Sequence, residues 1–146
     1  MTDDIAVGTE LPRSTVSGVS ADHIAIMALV LQDSNPIHWD LSAVQAAGLG
    51  DREVNQGGST LAYVLGLLVE WAGSRSAVRQ ISCRFTANVF AGDDVVVGGV
   101  VTGLSPVEGG RLATCEVWAD RADGVRAISG TAEVHLAARP TATARS

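Results

Sequence analysis

Charge is scarce in this sequence: Asp, Glu, Lys and Arg make up 18% of its 146 residues, against 47% apolar. A small domain with so few charges tends to bury part of its surface against another subunit, so at least a dimer is expected. No basic run occurs anywhere, and the net charge is −6. Nucleic acid and anionic membrane therefore have no residue cluster to bind, and neither is an expected partner. An anionic substrate would have to meet single arginines, and Arg75, Arg79 and Arg84 stand close together for that purpose.

Cysteine is nearly absent too. Cys83 and Cys115 are the only two, far apart and each within apolar alternation. That pattern suits buried free thiols in a reducing compartment better than a disulfide. The three histidines have no Cys or carboxylate at ligand spacing, so no metal site is expected, and His23 and His135 read as bystanders. No apolar stretch free of Gly and charge is long enough to span a bilayer. The start, MTDDIAVGTE, is acidic and lacks the apolar segment of a signal peptide. The expected location is the cytoplasm.

The length fits one domain able to bury a core, without internal repeats or linkers. Residues 1–137 are read as that domain, and 138–146, poor in large apolar residues, as a disordered tail. Ser20 followed by Asp22 and IAIMALVLQ predicts a capped helix that must stop before Pro36. Asp40 is a cap for a second, short helix ended by Gly48. The run after Gln56-Gly57-Gly58-Ser59-Thr60 is apolar on nearly every side and ends at Gly73-Ser74, which predicts a helix wrapped by other elements. Four β-branched runs follow, Val78 to Phe85, Asp94 to Leu104, Leu112 to Asp120 and Val125 to Leu136. Gly92-Asp93, Gly109-Gly110 and Asp123-Gly124 separate them. Glycines 98, 99 and 103 suggest a bulge or bend in the second run. With Ile5 to Val19 as one further strand, the order predicts an α+β domain, a curled antiparallel sheet around one long helix.

Two stretches could carry chemistry. In Asp33-Ser34-Asn35-Pro36-Ile37-His38 a rigid turn separates a carboxylate from an imidazole. It is either a plain helix-ending turn or an acid/base pair in which the histidine moves protons at neutral pH. Asn35 would hold the turn or orient a water. In Gln56-Gly57-Gly58-Ser59-Thr60, backbone N–H groups at a helix start have no intrahelical partner and could meet a developing oxyanion. Alternatively the glycines only loosen a loop, and Ser59 or Thr60 is a cap.

Together these stretches resemble a known family. Asp33-Ser34-Asn35-Pro36-Ile37-His38 is similar to the D-x-N-P-x-H hydratase motif of the MaoC-like proteins, which include (R)-specific enoyl-CoA hydratases. Asn55 to Val78 resembles their central helix, and Phe85 through Gly92-Asp93 their F-x-x-x-V-x-x-G-D segment. The likeness spans roughly residues 8 to 136 and is nearest to the single-domain (3R)-hydroxyacyl-ACP dehydratase subunits of mycobacterial type II fatty acid synthesis. It implies a single hot-dog fold. It also implies a hydratase or dehydratase interconverting trans-2-enoyl and (R)-3-hydroxyacyl thioesters of CoA or acyl carrier protein.

By this resemblance Asp33 and His38 are the catalytic pair, and Gly57 with Gly58 binds the thioester oxygen. Asn35 and Ser59 are supporting residues. No cofactor or metal is implied, and the expected assembly is a homodimer, or a heterodimer with another hot-dog subunit, pairing two sheets edge to edge. Leu31-Gln32 stands where the family usually has Ser-Gly, and Gln56-Gly57-Gly58 where it has His-Gly-Met. These departures open other readings: a thioesterase, a lyase adding another nucleophile in specialised metabolism, or one subunit of a heterodimeric dehydratase.

Overall fold

The computed structural model describes residues 4–138. The tail expected at 138–146 lies outside the described residues from 139 onward. Five strands form one antiparallel sheet: β1 (Ser14–Val16), β2 (Val78–Phe85), β3 (Val95–Val107), β4 (Gly110–Arg121) and β5 (Arg126–Ala137). Their order across the sheet is β1-β3-β4-β5-β2, so the strand that leaves the long helix forms one edge.

The helices are α1 (Ala21–Val30), α2 (Leu41–Ala46) and α3 (Gly57–Ala72), with a 3₁₀ turn at Pro36–His38 between the first two. Helix α3 packs against β2, β3, β4 and β5. Val64, Leu67 and Leu68 of α3 join Val97, Val101, Val117, Ile128 and Val134 in the core. Leu68 is fully buried, and its truncation to alanine costs about 2–5 kcal/mol. The result is the α+β arrangement that the order of elements implies, and the hot dog that the resemblance implies.

Capping residues end the helices where the sequence predicts. Ser20 accepts a hydrogen bond from the His23 N–H at 3.2 Å, and Asp40 accepts one from the Ser42 N–H at 2.8 Å. Gly73 closes α3 with φ 74, a left-handed conformation that glycine adopts without steric cost. The glycines of β3 allow close approach. A Cβ on Gly98 would meet the Trp118 ring at 3.0 Å, and one on Gly99 the Glu116 carbonyl oxygen at 2.8 Å. The register shifts between Val101 and Gly103, where a bulge was expected.

Two expectations need correction. Ile5 to Val19 is not one strand: only Ser14–Val16 is, with an isolated bridge at Glu10. Gly8 (φ 92) and Gly18 (φ 58) turn the chain, and Pro12 lacks the N–H a ladder needs. Nor is α3 enclosed on all sides. Gly58, Ala62, Gly66 and Glu70 recur every fourth residue along an exposed face, which the sheet of this one chain does not reach.

Among the described residues no helix is long and apolar enough to cross a membrane. Cys83 is half-buried and Cys115 buried, both free. Burial pushes the Cys115 thiol up to about 11.

Candidate active site

Helix α1 ends abruptly. Leu31 caps it, Gln32 takes a left-handed φ of 53, and the Asp33 N–H bonds back to the Ala28 carbonyl at 2.9 Å. Asn35 is extended, as a residue before proline must be. Its Oδ1 accepts from the Ile37 N–H at 3.3 Å and caps the 3₁₀ turn, while its own N–H donates to Asp33 Oδ1 at 3.1 Å. Asn35 therefore holds the turn and one carboxylate oxygen together.

The turn brings His38 back to Asp33, Nε2 to Oδ2 at 3.1 Å. The opposite ring nitrogen, Nδ1, lies 2.6 Å from the Val54 carbonyl oxygen. A carbonyl only accepts, so Nδ1 carries a proton. The contact to Asp33 then needs one further proton, held by Nε2 or by the carboxyl. His38 is buried and Asp33 is partly exposed, so the pair has one wet and one dry member. This arrangement can take up and return a single proton.

Val54 is held in place by neighbours on both sides. Its N–H donates to the Ile37 carbonyl at 3.0 Å, and the Asn55 N–H donates to the Val89 carbonyl at 2.8 Å. Three residues further on, α3 begins. No side chain caps its first N–H groups, which carry the positive end of the helix dipole. Gly57 and Gly58 are both exposed there. They differ in room: a Cβ on Gly57 would sit 3.2 Å from the Phe85 ring, whereas nothing lies within 4 Å of one on Gly58.

Sequence reasoning missed a polar network behind these glycines. Among the described residues the buried polar side chains are His38, Asn55, Gln56, Ser59 and Thr60, all in this region. Gln56 Nε2 donates to the Ile24 carbonyl at 2.8 Å and ties the start of α3 to α1. Ser59 Oγ donates to Gln56 Oε1 at 3.4 Å, so Ser59 supports Gln56. Asn55 Nδ2 donates to Thr60 Oγ1 at 3.0 Å and to Tyr63 Oη at 3.4 Å. Burial pushes the Tyr63 hydroxyl above its ordinary value, and the Asn55 bond opposes this. Asn55 Oδ1 is buried without a hydrogen-bond partner. The available signal was a run of amides and hydroxyls ahead of an apolar helix.

Arg75, Arg79 and Arg84, the candidates for an anionic substrate, are all exposed. His23 is exposed on α1, and His135 contacts the Glu108 carbonyl. No group of three or more His, Cys, Asp or Glu residues that could hold a metal ion occurs among the described residues.

A sequence model of the MaoC like domain matches residues 4–122. The chain belongs to the MaoC-like family. Among solved structures, the (R)-hydratase from A. caviae involved in PHA biosynthesis is 25% identical with a TM-score of 0.79, covering 91% of this chain and 98% of that one. A MaoC-like dehydratase is 29% identical with a TM-score of 0.84, covering 92% of this chain but 42% of that longer one. The truncated HadBC complex, a 3R-hydroxyacyl-ACP dehydratase from Mycobacterium tuberculosis, shares the MaoC-like fold at 13% identity and a TM-score of 0.70, covering 88% of this chain and 95% of that one. No curated protein sequence matches the chain.

Proposed function

We propose that this MaoC-like protein interconverts trans-2-enoyl and (R)-3-hydroxyacyl thioesters by adding or removing water. The observation that carries the reading is the contact of His38 Nε2 with Asp33 Oδ2 at 3.1 Å, with Nδ1 of the same ring on the Val54 carbonyl. In hydration, the Asp33–His38 pair takes one proton from water as the water oxygen bonds to the β-carbon. The electrons of the double bond move toward the thioester oxygen, where the N–H groups of Gly57 and Gly58 would stabilise the enolate. The proton then passes from the pair to the α-carbon, and the product differs from the substrate by one water. Elimination is the same path reversed. Asn35 keeps the carboxylate in place, and Ser59 acts through Gln56. No step calls for a cofactor.

The carrier is CoA or an acyl carrier protein, and the reaction is assigned to the cytoplasm. The working unit is proposed to be a homodimer, or a pair with another hot-dog subunit, joined at the β2 edge. Support comes from that strand's place at the end of the sheet, and the HadBC relative is itself a complex.

Mixing the protein with crotonyl-CoA tests the reading. Loss of the enoyl-thioester absorbance with formation of (R)-3-hydroxybutyryl-CoA is expected. Release of free thiol without a hydroxyacyl product would favour the thioesterase alternative instead. Activity that appears only after a second hot-dog subunit is added would identify the chain as one half of a heterodimeric dehydratase.

A further inference from the structure

The chain between the two halves of the site is Val54-Asn55-Gln56. Its first peptide group is held at both ends: the Val54 carbonyl meets His38 Nδ1 at 2.6 Å, and the Asn55 N–H donates to the Val89 carbonyl at 2.8 Å. Two residues past Asn55, Gly57 opens α3 and carries the first of its uncapped N–H groups. Any rotation of the backbone over 54–57 therefore moves the anchor of His38 relative to those N–H groups. The Asn55 side chain adds a third tie, to Thr60 and Tyr63 on the next turns of α3.

Thr60 fixes the direction of that amide. Its hydroxyl proton goes to the Gln56 carbonyl at 3.3 Å, so toward Asn55 it can only accept, and the nitrogen Nδ2 must face it. Oδ1 is thereby turned away, buried without a hydrogen-bond partner in a residue only 4% exposed. An unpaired buried acceptor costs more than one neutral hydrogen bond returns, so the carboxamide contributes little or nothing to stability. Leucine, of nearly the same shape, would leave no such orphan. Thr60 would keep the Gln56 carbonyl, and Tyr63 is only half-buried. Residues that break a local rule in this way are expected where function uses them.

We propose that Asn55 is a positioning residue for the hydration reaction: its carboxamide locks residues 54–57 so that His38 and the Gly57 N–H keep one fixed separation. The proposal rests on the hydratase reading. Water adds at the β-carbon while charge gathers on the thioester oxygen, so the two groups must hold the spacing of one enoyl unit. A misplacement of about 1 Å in such a pair costs about 10²-fold in rate. Asn55 touches neither reacting group with its side chain and acts through the backbone on either side of it. Tyr63 is the farther of its two anchors.

The test compares Asn55→Leu and Tyr63→Phe with the wild type in three measurements. Thermal melts read stability. Kinetics on crotonyl-CoA, set beside the Kd of butyryl-CoA, a saturated probe that cannot be hydrated, separate turnover from binding. The ¹⁵N and ¹H NMR signals of the His38 ring report the Nδ1–H bond to Val54 without any turnover.

Asn55→Leu is expected to keep or raise Tm and to leave the Kd of butyryl-CoA nearly unchanged, while kcat falls about tenfold to a hundredfold. The His38 Nδ1 proton signal should shift or broaden in the same variant. Tyr63→Phe, which removes one of two anchors, should act in the same direction to a smaller extent. Wild-type kcat or an unchanged His38 signal in Asn55→Leu would overturn the proposal. So would a Tm that falls in step with kcat, because Asn55 would then hold the fold and not the spacing. If no enoyl-CoA is hydrated by any of the three proteins while the His38 signal changes in Asn55→Leu at constant Tm, Asn55 still positions His38 and the hydratase reading falls.

Discussion

The Nδ1 atom of His38 lies 2.6 Å from the carbonyl oxygen of Val54, in a chain segment that does not adjoin it in sequence. That contact fixes which nitrogen faces Asp33. The imidazole cannot flip without leaving a buried carbonyl unpaired, which costs about 1–3 kcal/mol. Nε2 is therefore the nitrogen that faces Asp33, its only carboxylate neighbour among the described contacts.

Loss of either member should then remove acid/base chemistry. Asp33→Asn and His38→Ala are each expected to lower kcat on an enoyl thioester about 10²–10⁴-fold. Asp33→Asn is the cleaner of the two, because Asp33 is partly exposed, whereas His38→Ala also opens a void and orphans the Val54 carbonyl. Circular dichroism checks the fold in both. An Asp33→Asn enzyme with wild-type kcat would remove Asp33 from the mechanism.

Gly57 and Gly58 are neighbours in sequence with opposite tolerance. Alanine at 58 meets nothing within 4 Å and is expected to be neutral or to stabilise by about 0.5–1 kcal/mol, as Gly→Ala does in a compatible helix. Alanine at 57 must push the Phe85 ring or move the start of α3. Displacing that N–H is expected to lower kcat about tenfold to a hundredfold. A Gly57→Ala/Phe85→Ala double variant should recover much of the loss, so kinetics on the three proteins separate a displaced backbone from a crowded one.

Asp40 links stability to pH. The Ser42 side chain and then the Ser42 and Ala43 N–H groups lower its carboxyl below the ordinary value of 3.8, burial opposing them only in part. A group whose folded value is depressed contributes above its unfolded value, and the contribution is lost as pH falls through the folded one. Asp40→Ala should therefore lower Tm at neutral pH, and the gap to wild type should close in acid, below pH 3.8. Thermal melts of both proteins across that range decide it. A gap independent of pH would mean that Asp40 acts by shape and not by charge.

Local chemistry explains how much of this was legible beforehand. Ser20, Asp40, Pro36 and Gly73 act within a few residues of themselves, so their caps and breaks are written in the sequence. The Asp33–His38 contact is local too, five residues apart across one turn. The Val54 carbonyl was not legible, because any residue has a carbonyl and only the pairing of 53–55 with 89–91 aims this one. The open face of α3 was missed for a related reason. Hydropathy makes Leu65 and Val69 look like core, but one five-stranded sheet covers only one side of a helix.

The same pairing gives a prediction far from the reacting atoms. Asp93 Oδ1 accepts from Arg52 Nη1 at 2.6 Å, its Oδ2 accepts from the Phe90 N–H at 2.9 Å, and Arg121 stands 3.9 Å away. Arg52 and Arg121 also lie over the Phe90 ring, at 5.1 and 5.7 Å from its centroid. Next to this cluster the Ala91 N–H donates to the Glu53 carbonyl at 2.9 Å, so the clamp fixes the segment that carries Val54. Removing the carboxylate leaves the part-buried Phe90 N–H without its acceptor, which costs about 1–3 kcal/mol, whereas Arg121 keeps Asp123 and the Asn88 carbonyl. Removing Arg52, which is 45% exposed, costs about 1 kcal/mol or less. Asp93→Ala should therefore destabilise more than Arg52→Ala in urea unfolding. Below its unfolding range it should also lower kcat, because a looser Val54 lets His38 drift from Asp33. Equal unfolding midpoints for the two variants would mean that the arginine, not the carboxylate, organises the turn.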